Sequence, residues 1–124
     1  MTWYQRTAGK FNNTKTVYGG RKYDSKFEAG LAMEIDSLVR AGKIVKVEPQ
    51  VTFNLYGKNG NKICTHRPDF LITKDDGTKE VWEAKGFATD VFRIKLKLFE
   101  DNYPEIPYWV ITPNKRYYAG KRKI

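Results

Sequence analysis

The sequence predicts a mixed α/β domain, with a four- to five-stranded sheet flanked by helices. Three observations predict it. Phe27, Leu31, Ile35, Leu38 and Val39 recur at helical spacing, as do Val91, Ile94, Leu98 and Phe99. Between and after them lie short apolar runs, some in strict alternation, bounded by turn residues. The order reads α, then β-β-β, then α, then β, with no internal repeat. A chain of 124 residues fits one domain, 1–124. At that length it buries roughly two-thirds of its unfolded surface without staples.

Taken in order, residues 1–22 are polar, glycine-dotted and aperiodic. They read as a basic arm or irregular lead-in of the kind that orders on binding. A helix begins near Ser25, and Gly42 is its natural stop. Ile44–Val47 follows, and then Val51, Phe53 and Leu55 alternate as a half-buried strand does. Lys58-Asn59-Gly60-Asn61 is a hairpin turn, because Asn-Gly tolerates positive φ. Ile63–Thr73 continues as a strand in which Pro68 is a candidate break, and Glu80–Lys85 is another strand. The second helix runs from Thr89 or Asp90 to Asn102, with Val91, Ile94, Leu98 and Phe99 on its buried side and Pro104 and Pro107 ending it. Tyr108–Thr112 is the last strand, and a basic tail, 113–124, closes the chain.

Charge is the next constraint. The net charge is +9, from 23 basic and 14 acidic residues. Residues 1–26 hold six Lys and Arg against one Asp, and residues 113–124 hold five and no acid, so each end carries +5. The middle, with 12 basic and 13 acidic residues, carries −1. Trp3, Tyr4, Phe11, Tyr18 and Tyr23 accompany the first basic segment, and Tyr117 and Tyr118 the last. Basic arms interleaved with aromatics suit a polyanion, above all nucleic acid. The alternative is that they only aid solubility, since charge sets non-specific affinity and no chemistry. The single cysteine, Cys64, excludes an intramolecular disulfide and fits a reducing compartment. No apolar run approaches a membrane span, and the N-terminus lacks a signal-peptide core. A soluble, intracellular protein is expected.

The chemistry lies in Arg67-Pro68-Asp69-Phe70 and Val81-Trp82-Glu83-Ala84-Lys85. Thirteen residues separate Asp69 from Glu83, and the stretch between them contains the turn-rich Lys74-Asp75-Asp76-Gly77-Thr78. Two strands with a short connection therefore bring two carboxylates and an ammonium to one sheet edge. Glu83 and Lys85 are two apart, so they share a face. Neighbouring carboxylates repel unless a cation lies between them. Hard oxygen ligands suit Mg²⁺ or Mn²⁺, which take up phosphate oxygens. Lys85 can orient or deprotonate water, or offset charge on a pentacovalent phosphorus. The bland alternative is a turn aspartate and a solvated strand pair; the apolar filling, Phe70-Leu71-Ile72 and Val81-Trp82, speaks against it. Glu28 is a fourth candidate, although with Ser25 it also fits a capping box. With one histidine and one cysteine, a closed zinc site at His66 and Cys64 lacks ligands, and Cys64 reads as a small core residue.

Pro68-Asp69 followed by Glu83-Ala84-Lys85, behind a helix carrying Glu28, resembles the PD-(D/E)XK nuclease superfamily. The chain is more specifically similar to a small phage-encoded family within it that went by a domain-of-unknown-function label. That likeness rests on Tyr23–Ala29, Pro68-Asp69-Phe70, Glu83–Val91, Lys95, Lys97-Leu98-Phe99 and Tyr103-Pro104, and covers about 10–111. The layout also resembles phage junction-resolving endonucleases. The resemblance implies a restriction-endonuclease-like core and implies Asp69 and Glu83 as metal ligands, with the Ala84 carbonyl as a third. It implies Lys85 as the catalytic lysine and Glu28 as an additional acidic member. It further implies a homodimer, since junction resolvers generally use two sites, and partners among phage replication or recombination proteins.

The expectation is thus a Mg²⁺- or Mn²⁺-dependent DNA endonuclease, acting on branched or Holliday-junction DNA in the cytoplasm of an infected or lysogenic host cell. The alternatives are a nuclease without structural preference, a non-catalytic nucleic-acid-binding module, and an accessory phage protein silent without its partner. The residues expected to meet nucleic acid are Lys22, Lys26, Arg67, Arg93, Lys97, Lys115, Arg116, Lys121 and Arg122. Arg93 and Lys97 stand one turn apart on the second helix and share a face.

Overall fold

The computed structural model describes residues 26–85 and 88–112, together with the backbone of strands 16–18, 21–23 and 116–118. The chain forms two units, Met1–Val45 and Lys46–Ile124.

In the first unit, β1 (Thr16–Tyr18) and β2 (Arg21–Tyr23) pair antiparallel, with Val17 opposite Lys22. The lead-in expected to be irregular therefore contains a hairpin. Threonine, valine and tyrosine favour strands, which outweighs the polar composition around them; residues 1–15 lie outside the described residues. Helix α1 (Lys26–Arg40) runs beside this hairpin. Ala29, Leu31, Ala32 and Ile35 are its buried stripe, and buried Asp36 pairs with Arg40 one turn on. Gly42, at φ +80°, ends it. The Gly42 N–H reaches the Val39 carbonyl and the Lys43 N–H the Leu38 carbonyl, which satisfies two of the carbonyls a helix end leaves open. The expected cap at Ser25 lies outside the described residues.

Strand β3 (Ile44–Pro49) begins in the first unit and runs into the second. The second unit continues with β4 (Phe53–Tyr56), β5 (Lys62–His66), β6 (Phe70–Lys74), β7 (Lys79–Ala84), α2 (Asp90–Asn102), β8 (Tyr108–Ile111) and β9 (Arg116–Tyr118). The main sheet has the order β3-β6-β7-β8-β9; β6 and β7 are antiparallel, β7 and β8 parallel, and β8 and β9 antiparallel. The class is the mixed α/β one expected, with differences of detail.

Five strands stand between the helices where three were expected. Gln50, at φ +57°, breaks the chain between β3 and β4. Pro68, which has no N–H to give a ladder, separates β5 from β6. β4 and β5 consequently form a hairpin of their own, turning at Gly60, φ +88°. Part of the expected basic tail is the edge strand β9.

Helix α2 starts at Thr89, whose hydroxyl accepts the Phe92 N–H at 3.1 Å. It crosses from β7 to β8 and covers one face of the sheet. Phe92 and Phe99 pack there with Phe53, Leu55, Leu71, Val81, Tyr108 and Val110. The rings interlock: Phe99 meets Phe53, Tyr103 and Tyr108 at 5.0–5.1 Å between centroids. The expected buried side of α2 is corrected here. Val91 and Ile94 are 63% and 65% exposed, whereas Phe92 and Phe99 are buried and Leu98 is partly so. Two apolar stripes share the helix, and the one with two phenylalanines removes more area from water. Among the described residues, no helix is long and apolar enough to cross a membrane.

Candidate active site

The pairing of Phe70 with Trp82 places Asp69 opposite Glu83 where β6 and β7 meet the Pro68 bend. Each carboxylate holds the other's strand. The Asp69 N–H donates to Glu83 Oε1 at 3.0 Å, and the Ala84 N–H donates to Asp69 Oδ2 at 2.8 Å. Alternation puts Leu71 and Val81 of the core on the same face, so the pair lies on the α2 side of the sheet. Glu83 is only 6% exposed. A carboxylate so placed requires donors and a cation nearby. Lys85 Nζ stands 3.5 Å from Glu83 Oε2 and 4.4 Å over the Phe92 ring, which covers it from the first turn of α2.

Two further residues join the group. The Tyr108 hydroxyl, from the start of β8, lies 3.5 Å from Glu83 Oε1, and His66 Nε2, from the end of β5, lies 2.7 Å from that hydroxyl. Burial, and then the negative charges of Glu83 and Asp69, push the Tyr108 hydroxyl far above the usual phenol range, so it stays protonated. Burial, and then the ammonium groups of Lys95 and Lys85, lower His66 to about 4, so its ring is neutral at pH 7. Lys95 is therefore a second cation in the neighbourhood. Sequence reasoning weighs His66 only as a zinc ligand and gives Tyr108 and Lys95 no place in this site. The available signals were a tyrosine opening an otherwise apolar strand, and the chain's single histidine two residues before Pro68.

A family model described as "Protein of unknown function (DUF1064)" matches residues 8–119. The chain belongs to the DUF1064 family. No curated protein and no solved structure matches it.

The other expected site residues of this DUF1064 member lie in several places. Arg67 is exposed two residues before Asp69, with its Nε 3.4 Å from the Thr52 hydroxyl. Arg93 and Lys97 are exposed on α2, and Arg93 is 3.3 Å from Asp90 on the surface. Lys26 is exposed at the start of α1, and Glu28 is half-buried in the first turn of that helix, in the first unit. Asp69, Glu83 and Lys85 belong to the second unit. Lys22 and Arg116 stand on β2 and β9. Lys115, Lys121 and Arg122 lie outside the described residues.

The donor chemistry fits a hard divalent cation. Asp69 and Glu83 supply carboxylate oxygens from adjacent strands, and the Ala84 carbonyl lies in the next peptide. Among the described residues, no group of three or more His, Cys, Asp or Glu side chains could hold a metal ion. Mg²⁺ does not need one, because it keeps several waters and is commonly held by one or two carboxylates together with substrate phosphate.

Proposed function

We propose that this DUF1064 member is a Mg²⁺- or Mn²⁺-dependent endonuclease that hydrolyses phosphodiester bonds in DNA. The observation that carries the reading is the reciprocal clasp of Asp69 and Glu83 with the Lys85 ammonium 3.5 Å away. Two acids locked by backbone donors are set before any substrate arrives, and a site held by such supporting bonds keeps the geometry that chemistry needs.

Asp69, Glu83 and the Ala84 carbonyl are the groups that would hold the cation. The chemistry such a cation supplies is polarisation of the phosphodiester and generation of hydroxide near neutral pH. Lys85 supplies an ammonium beside the reacting phosphate, where it offsets charge at phosphorus or orients the attacking water. Phe92 keeps bulk water from that ammonium on one side. Arg67, two residues before Asp69, and Arg93 and Lys97, on α2, are cations for the flanking backbone. The Arg93–Asp90 pair is well exposed and therefore weak, so a phosphate can replace the aspartate. The surplus of +5 at each chain end draws a polyanion in.

The resemblance to phage junction-resolving endonucleases supports a finer reading. The substrate would be branched or Holliday-junction DNA, cut by a homodimer in the cytoplasm of the phage's host during replication or recombination. A second reading is a non-catalytic nucleic-acid-binding or accessory phage protein. It draws on the surplus of +5 at each chain end, which suits a polyanion and implies no chemistry.

A cleavage assay separates these readings. Purified protein is incubated with a labelled four-way junction, a matched linear duplex and a single strand, each with Mg²⁺, Mn²⁺ or EDTA, beside Lys85→Ala. Metal-dependent cutting of the junction alone, lost in Lys85→Ala, is the expected result. Cutting of all three keeps the nuclease and removes the junction preference. Tight binding without cutting under either metal sinks the enzyme reading and leaves the binding module.

A further inference from the structure

Glu83 would be a ligand in the nuclease reading, yet one of its oxygens is already engaged from two sides. Oε1 takes the Asp69 N–H at 3.0 Å and faces the Tyr108 hydroxyl at 3.5 Å, while Oε2 faces Lys85. The Tyr108 hydroxyl has one proton and two neighbours able to accept it, Glu83 Oε1 and His66 Nε2. They make opposite demands. With no proton on Nε2, the hydroxyl gives its own proton to the ring and turns lone pairs toward a buried carboxylate. With the proton on Nε2, the ring donates to the hydroxyl oxygen and the hydroxyl donates to Glu83.

The second arrangement adds a donor to the Asp69 N–H at Oε1 and links three groups that are 8%, 1% and 6% exposed for His66, Tyr108 and Glu83. It also points the hydroxyl proton, rather than lone pairs, at an anion 3.5 Å away. The ring is packed in place, with Nε2 held at the hydroxyl. It stacks on Tyr108 at 5.8 Å and 25°, and lies edge-on to Phe99 at 6.2 Å.

We propose that His66 and Tyr108 are positioning residues for Glu83: a one-way hydrogen-bond chain runs from His66 Nε2–H through the Tyr108 hydroxyl to Oε1. Oε1 is the anchor and Oε2 the working oxygen. The chain itself rests on geometry; its chemical consequence rests on the nuclease reading.

Two measurements test it. His66 is the only histidine, so the imidazole ¹⁵N signals of tag-free, ¹⁵N-labelled protein need no assignment. The Nε2–H tautomer is expected. An Nδ1–H tautomer reverses the chain and overturns the proposal, whatever the cleavage assay gives. The second measurement is Mn²⁺ binding followed by electron paramagnetic resonance, without substrate. Tyr108→Phe and His66→Leu should each weaken binding about tenfold, the lower end for residues that support a metal ligand from behind. His66→Gln keeps an amide donor and should stay near wild type, which a merely space-filling role does not predict. Unchanged Mn²⁺ affinity in folded Tyr108→Phe overturns the positioning role. If wild type binds no Mn²⁺ and cuts nothing, the nuclease reading and the positioning role fall together, and the tautomer alone decides whether the chain runs toward Glu83.

Discussion

Asp69 is expected to do two separable jobs, and a pair of substitutions distinguishes them. Its Oδ2 accepts the half-buried Ala84 N–H at 2.8 Å, a charge-assisted bond. Asp69→Ala removes the acceptor and strands the donor, which costs about 2–3 kcal/mol. For a domain of this size that is a fall in Tm of roughly 10 °C. Asp69→Asn can keep an oxygen in the same place. It loses the charge assistance, about 1 kcal/mol, and regains part of that by removing a like charge beside Glu83. Both variants are expected to lose metal-dependent cleavage. The assay is thermal and urea unfolding of the three proteins in EDTA, followed by circular dichroism, so that no ligand contributes by mass action. Adding Mg²⁺ should then stabilise wild type, by about 2.7 kcal/mol at a hundred times its Kd, and neither variant. The reasoning is refuted if Asn destabilises as much as Ala, or if Ala is as stable as wild type.

Other expectations follow from burial, backbone conformation and charge. Phe99→Ala should cost about 3–5 kcal/mol in urea unfolding, whereas Ile94→Ala, on the exposed stripe of the same helix, should stay within about 0.5 kcal/mol. Gly77, at φ +89° in the β6–β7 turn, has nothing within 4 Å of an added Cβ. Gly77→Ala should therefore cost only the left-handed penalty, roughly 1–2 kcal/mol, in the same assay. His66 titrates at about 4 in the folded chain against 6.5 otherwise, because of burial and then Lys95 and Lys85. The unfolded state thus binds more protons between those values. Stability should be full above pH 6.5, decline as pH falls to about 4 and level off below, by at most about 3 kcal/mol. Lys95, Lys85 and Tyr108 are the groups around the ring, and the slope should vanish in His66→Gln.

The parts of the molecule that were legible in the sequence are those set by local spacing. Glu83 and Lys85 share a face because strands alternate, and Asp69 meets Glu83 because a turn at Gly77 folds one short run back on the other. The stop at Gly42 and the turn at Gly60 follow from positive φ. Where local rules allowed two answers, size decided: α2 carries Val91-Ile94-Leu98 and Phe92-Leu96-Phe99 at equally helical spacing, and the phenylalanine stripe went inside. The hairpin of β1 and β2 was hidden because its strands are three residues long, too short for a period to show. His66 and Tyr108 were illegible for a different reason. They are 42 residues apart and meet only through the β4–β5 hairpin and the crossover of α2. No spacing within either segment encodes that contact.

The crossover also sets an order of assembly. Asp69 and Glu83 are joined by a loop of 13 residues within one hairpin, while Tyr108 arrives only after 24 more residues and a whole helix. Closing the shorter loop costs less chain entropy and needs no other element. The acidic pair is then expected to meet early, still in water, where two adjacent carboxylates repel weakly. Glu83 is buried later, when β8 docks beside β7 and brings its hydroxyl. Folding kinetics would show this as a larger φ-value for Leu71→Ala than for Val110→Ala, and the reverse ranking would contradict it.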